Sequence, residues 1–222
     1  MNHLLISLIS LLALLISLTT HEYCHALMAY LLGDDTAKRM GRLTLNPLAH
    51  IDPIGTILIP LIGALSGLPI IGWAKPVPFN PYNLRSQKWG ATMVALAGPF
   101  SNFLGAFIYI LLLKLVLTVF QLPIDNLLSL FLALLVIVNV VLGVFNFIPV
   151  PPLDGSKLVN AIFDAPKYQR FRLFLETRGS TILLAIILID FISPVPILGS
   201  LFNVAINLVF SLAGLHYILG VL

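Results

Sequence analysis

The sequence predicts an all-α polytopic membrane protein, on three observations. Of its 222 residues, 59% are hydrophobic and only 9% charged, a balance foreign to soluble domains. Apolar stretches long enough to cross a hydrocarbon core roughly 30 Å thick recur along the chain. They lack the alternation that an outer-membrane barrel requires. About five to six transmembrane or re-entrant helical segments are expected. They are read as one membrane-embedded domain over residues 1–222, with a core over 1–160 and a C-terminal helical hairpin over 180–222.

The first apolar segment, 4–32, has no basic residue before it and Lys38, Arg39 and Arg42 behind it, so it should run from outside to cytoplasm. A removable signal peptide is not expected, because the apolar run continues past His21-Glu22 without a small-residue cleavage site. Residues 54–71 are apolar but interrupted by Pro60, Gly63, Gly67 and Pro69. A full crossing there would leave Lys75, Arg85 and Lys88 outside, against the positive-inside bias. A re-entrant segment is therefore expected, of the kind tolerated where protein covers it or a cavity receives it. Residues 90–120 cross outward and 126–148 return. Pro149, Pro151 and Pro152 then forbid a regular helix, so Asp154 follows an irregular stretch back near the cytoplasmic side. The final apolar pair, 180–192 and 197–221, is split by Ser193-Pro194-Val195-Pro196 and reads as an out-and-back hairpin with the C-terminus inside.

Charge follows the same logic. Eleven of the twelve basic residues fall in three clusters, around 38–42, 75–88 and 157–178, and only Lys114 lies elsewhere. These read as cytoplasmic loops facing the lipid bilayer. A nucleic-acid partner is not expected, since that would need one basic surface with stacking aromatics. The single cysteine, Cys24, excludes an internal disulfide and is expected to pack.

The chemistry concentrates in His21-Glu22-Tyr23-Cys24-His25. Residues four apart lie one above the other on a helix, so His21 and His25 can present two imidazoles to one metal ion. Glu22 lies near enough to act on a water there without ligating. This HExxH arrangement is that of zinc hydrolases; the alternative is three interhelical hydrogen-bonding side chains. Ionisable groups at membrane depth favour function.

A catalytic zinc takes three protein ligands as a rule. Of seven aspartates and two glutamates, Asp34, Asp35, Asp164 and Glu176 sit among basic neighbours and read as solvated pairs, and Asp125 and Asp190 fall near the outer face. Asp154 is the preferred third ligand, because the topology returns it to the depth of His25. Its competing role is to cap the helix beginning near Ser156. Asp52 reads as a cap of the re-entrant segment and His50 as an interfacial residue, both weaker candidates.

The HExxH segment, Ala97-Gly98-Pro99-Phe100-Ser101-Asn102 and the Asn146-to-Gly155 stretch (NxIPxPPLDG) resemble the site-2 proteases, the zinc intramembrane metalloproteases. Gly41 to Pro47 and Gly72 to Pro78 are similar to the compact bacterial branch, without PDZ or CBS domain. The resemblance implies regulated intramembrane proteolysis: zinc-dependent cleavage of a peptide bond in or beside the transmembrane segment of a protein substrate. It implies one Zn2+ held by His21, His25 and Asp154, and Glu22 as general base. Asn146 would lie near the reacting carbonyl, or else form an interhelical hydrogen bond, while Asn102 would be structural. The expected setting is a multi-pass cell-membrane protein with its site opening toward the cytoplasm. The rival class is a membrane metal transporter or channel with a His/Asp site, which would need a continuous polar path through the outer half.

Overall fold

Long runs of leucine, isoleucine and alanine favour helix and must hydrogen-bond their own backbone in lipid. In the computed structural model, which describes residues 3–66, 72–86, 88–194 and 196–220, they do so. The chain forms α1 (His3–Leu31), a single turn α2 (Thr36–Arg39) and a π-helical turn (Pro53–Leu58) that runs into α3 (Ile59–Ser66). Then come α4 (Gly90–Thr118), α5 (Leu127–Phe147), α6 (Gly155–Ile162), α7 (Gln169–Ile192) and α8 (Ile197–Leu212). Among the described residues no strand forms, and α1, α4 and α5 are long and apolar enough to cross a membrane. The protein is an all-helical, multi-pass membrane protein.

Contacts fix how these helices run. His25 meets Val94, His21 meets Asn102 and Ser17 meets Asn139, so α1 is antiparallel to α4 and parallel to α5. Lipid tails compete for apolar surface, so close packing rather than burial drives helix association in a bilayer. Small residues supply that closeness: Ala13, Ala106 and Ala133 sit in the main core with Ile110, Leu113 and Val136.

Residues 72–83 return past residues 50–56 toward Asp34, which follows the closing end of α1. Arg42 donates to the Lys75 carbonyl, Lys75 N–H to the His50 carbonyl and Asn80 N–H to Asp34. Between these flanks, Ala74 packs on Leu14 and Leu18, deeper along α1 than His21. The segment thus enters and leaves at one end of the bundle, as the re-entrant reading expects. Gly67, Pro69 and the rest of 67–71 lie outside the described residues.

The C-terminal part differs from expectation. α7 and α8 meet at 82° rather than folding back on each other. The Asp190 carboxylate makes the corner by accepting from the Leu198 and Gly199 N–H groups, the exposed donors at the start of α8. From there α8 runs antiparallel to α5: Phe202 stacks on Phe145 near one end, and Lys114 caps the Ala213 carbonyl at the other. The end of α8 therefore shares a bundle face with the start of α1, opposite to the expected inward C-terminus. Phe210, Leu215 and Ile218 join the same core cluster as α4 and α5, so the packed core reaches beyond residue 160.

Candidate metal centre

On α1, His21, Glu22 and His25 lie ten, nine and six residues before its closing end at Leu31, roughly 9–15 Å along the helix. His21, Glu22 and His25 are all buried. Each imidazole is fixed from behind. The His25 Nδ1 lies 2.7 Å from the Val94 carbonyl, which can only accept, so this nitrogen carries the proton. The His21 Nδ1 lies 2.6 Å from Asn102 Oδ1, and the Asn102 amide nitrogen donates to Asn139 Oδ1 at 3.0 Å, which sets the amide's orientation. Asn139 in turn donates to Ser17 Oγ and the Leu135 carbonyl, and Ser17 donates to the Ala13 carbonyl. A wholly buried chain of polar groups thus ends on His21.

With both Nδ1 atoms protonated, neutral imidazoles leave lone pairs on both Nε2 atoms. Those atoms stand 3.0 Å apart, and Asp154 Oδ2 stands 3.1 Å from one and 3.3 Å from the other. The rings meet edge to face at 88°, so the lone pairs converge rather than stack. Three acceptors aimed at one point repel unless a cation lies among them. Two imidazole nitrogens and one carboxylate oxygen, all within 4.8 Å of one another, are a donor set that suits zinc.

Two close approaches make this geometry possible. Gly98 lets α4 lie against the rings; a Cβ there would stand 2.5 Å from His25 and 2.6 Å from His21. Gly155 tucks under the last carbonyls of α5, where a Cβ would stand 2.4 Å from the Phe147 oxygen, and this turn brings Asp154 back to α1. Asp154 occupies the position before α6, yet its side chain makes no capping hydrogen bond. It faces the histidines instead, so geometry favours the ligand over the cap.

Other candidates fall out differently. Asn146, in the last turn of α5, donates to the Leu142 carbonyl of its own helix, neither of the two expected contacts. Asp52 caps the π-helical turn through Ile54 and Gly55, as expected. His50 is buried rather than interfacial, its Nε2 bonded to the Thr44 carbonyl. Asp35 pairs with Arg39, and Asp164 lies near Lys88 and Arg172. Asp34 is the exception among the loop acids: it is wholly buried and accepts from Thr36, Asn80 and Asn83.

Sequence reasoning did not single out Ser17, Asn139 or Val77, whose N–H donates to Glu22 Oε2 at 3.0 Å. Ser17 and Asn139 carry a usable signal, being polar residues inside apolar crossings. Val77 carries none, because the contact uses only its backbone.

Residues 116–189, which include Asp154, match the model of peptidase family M50. A Bacillus subtilis protein named "Putative zinc metalloprotease YwhC" is 42% identical over 153 residues, 66% of this chain and 65% of that protein. "Putative zinc metalloprotease Rip2" from Mycolicibacterium smegmatis is 35% identical over 142 residues, 64% of this chain and 52% of its own. About a third of the chain thus matches peptidase family M50. The M50-like chain spans about half to two thirds of the length of these curated relatives. No solved structure matches it.

Proposed function

We propose that this M50-like protein is a zinc-dependent intramembrane endopeptidase that cleaves a transmembrane segment of a membrane protein, as part of regulated intramembrane proteolysis. Its catalytic domain lies within residues 1–222. His21, His25 and Asp154 hold the metal, and Glu22 is the general base. The observation that carries the reading is the convergence of two unprotonated Nε2 atoms and a carboxylate, each aimed by its own buried support.

Bound zinc would supply Lewis acidity and lower the pKa of a water to about 7. Glu22, beside His21 on α1, takes the proton from the attacking water and passes it to the leaving amine. Asn102 and the Val94 carbonyl keep both histidines in the tautomer that leaves Nε2 free. Asn146 contributes by turning its amide from Leu142 to the substrate carbonyl. A helical substrate protects its carbonyls by its own hydrogen bonds, so it must unwind locally before attack.

The basic residues of the loops gather at the end of α1 nearest the site, which by the positive-inside bias is the cytoplasmic end. Water and the cut substrate therefore enter and leave on that side. Among the described residues the transporter reading finds no path: the polar contacts leading outward from His21 end at Ser17 and the Ala13 carbonyl, against the apolar cluster.

Cleavage of a model transmembrane substrate by purified protein tests the reading, with Glu22→Gln beside the wild type and bound metal assayed in both. The expected result is metal in both and cleavage only in the wild type. A wild type that binds no zinc, or a metal-loaded mutant of full activity, overturns it.

A further inference from the structure

Residues 75–83 run past the last third of α1 and close in a 3₁₀ turn at Pro81–Asn83, pinned at both ends. At the near end Lys75 N–H donates to the His50 carbonyl at 3.0 Å, and the Arg42 guanidinium donates to the Lys75 carbonyl at 2.5 Å. At the far end Asn80 N–H reaches Asp34 Oδ2 at 2.7 Å and Asn83 Nδ2 reaches Asp34 Oδ1 at 2.9 Å. Phe79 packs on the cluster of Ala29, Leu84 and Val94, the residue whose carbonyl holds His25.

Between these pins lies Pro76-Val77-Pro78. Proline has no N–H, so Val77 is the one backbone donor of the three, and it is spent on Glu22 Oε2. A wholly buried acid nine residues beyond His25 thus fixes the segment whose Val77 N–H meets the proposed base.

We propose that residues 75–83 are a strap that positions Glu22: the Val77 N–H orients its carboxylate, and Asp34 is a positioning residue acting through that strap. The inference rests on Glu22 being the general base. One carboxylate oxygen tied to rigid backbone fixes the plane of the group, which leaves the other oxygen to take the proton in a set direction. A base held this way needs no reorganisation at the moment of transfer. The flanking prolines restrict the backbone beside Val77 and leave no N–H at positions 76 and 78 to compete for the carboxylate.

Two measurements on the full chain test this. Hydrogen exchange over residues 75–79 reports only the amides of Lys75, Val77 and Phe79, since the other two residues are prolines. Glu22→Ala should accelerate one of these three by about tenfold or more, in metal-loaded and metal-free protein alike. In the cleavage assay, Val77→Pro, which deletes the donor, should lower kcat by about tenfold or more with KM and bound zinc unchanged. Val77→Ala, which keeps the N–H, should restore most of that rate. Asp34→Ala should reproduce the kcat loss and speed exchange at Val77. Unchanged exchange in Glu22→Ala overturns the strap, as does full kcat in folded, zinc-loaded Val77→Pro. The exchange readout needs no cleavage, so absence of proteolysis in the wild type would strike the proposed function and leave the strap to be judged by exchange.

Discussion

Replacing Gly98 by alanine tests the metal centre without altering a ligand. The new Cβ would stand 2.5 Å from His25 Cε1 and Nε2 and 2.6 Å from His21 Cε1, where ordinary contact begins at 3.4 Å. One or both rings must therefore retreat by about 0.9 Å, the shortfall from 3.4 to 2.5 Å. Neither ring is free to do so, since Asn102 and the Val94 carbonyl hold their Nδ1 atoms. Metal–ligand distances tolerate about 0.2 Å, several times less than this displacement. Disturbing the groups that aim a ligand typically weakens metal binding about 10–100-fold, or ~1.4–2.8 kcal/mol. That loss is expected here, measured by chelator competition for zinc, with helix content checked by circular dichroism. Alanine is the better helix former by about 1 kcal/mol, so α4 itself should not suffer. Wild-type zinc affinity in Gly98→Ala would refute the packing of α4 against the two rings.

Three further outcomes follow from the same contacts. Asn102→Ala removes the acceptor behind His21 and strands buried partners on Asn139; zinc affinity should fall about 10–100-fold and unfolding stability by about 1–3 kcal/mol, read by chelator competition and denaturant titration. Stripping metal with a chelator should abolish cleavage and restoring zinc should recover it, whereas Asp154→Asn should not recover at the same free zinc. Burial presses the Asp34 pKa upward, but hydrogen bonds from Thr36, Asn83 and Asn80 outweigh it and hold the carboxyl below its ordinary value. The stability it lends is therefore present above the ordinary carboxylate pKa of about 3.9 and lost as pH falls through the lowered folded value. Exchange at the Asn80 amide should rise in that acid range, and Asp34→Asn should remove this pH dependence.

Much of the centre was legible because its chemistry is local or rare. His21 and His25 are related by helical spacing alone, and Asp154 stood out because carboxylates at membrane depth are few. That residues 50–56 and 73–75 lie side by side is readable from charge, since a full crossing between them would misplace three basic residues. What stayed hidden depends on tertiary contact. Gly98 matters only because two rings lie against it, and nothing in its own helix requires a glycine. Asp34 reads as one more loop acid until the chain returns at Asn80 to bury it. The corner between α7 and α8 is not legible, because by its sequence position Asp190 reads as a residue of the outer face, whereas it binds the Leu198 and Gly199 amides of α8. Proline-rich punctuation marks a break in the helix but does not state the angle across it.

The polar chain behind His21 stops at Ala13, which belongs to the same buried apolar cluster as Ile110, Leu113, Val136 and Phe210. For the proposed protease in an energised membrane this boundary would be electrical as well as structural. Moving one elementary charge across the bilayer releases about 2.3 kcal/mol per 100 mV, so a wetted site open to both faces would leak protons. The residues that anchor His21 also border this apolar cluster, so on the proposed function the centre would exchange protons with one compartment while the membrane keeps its potential.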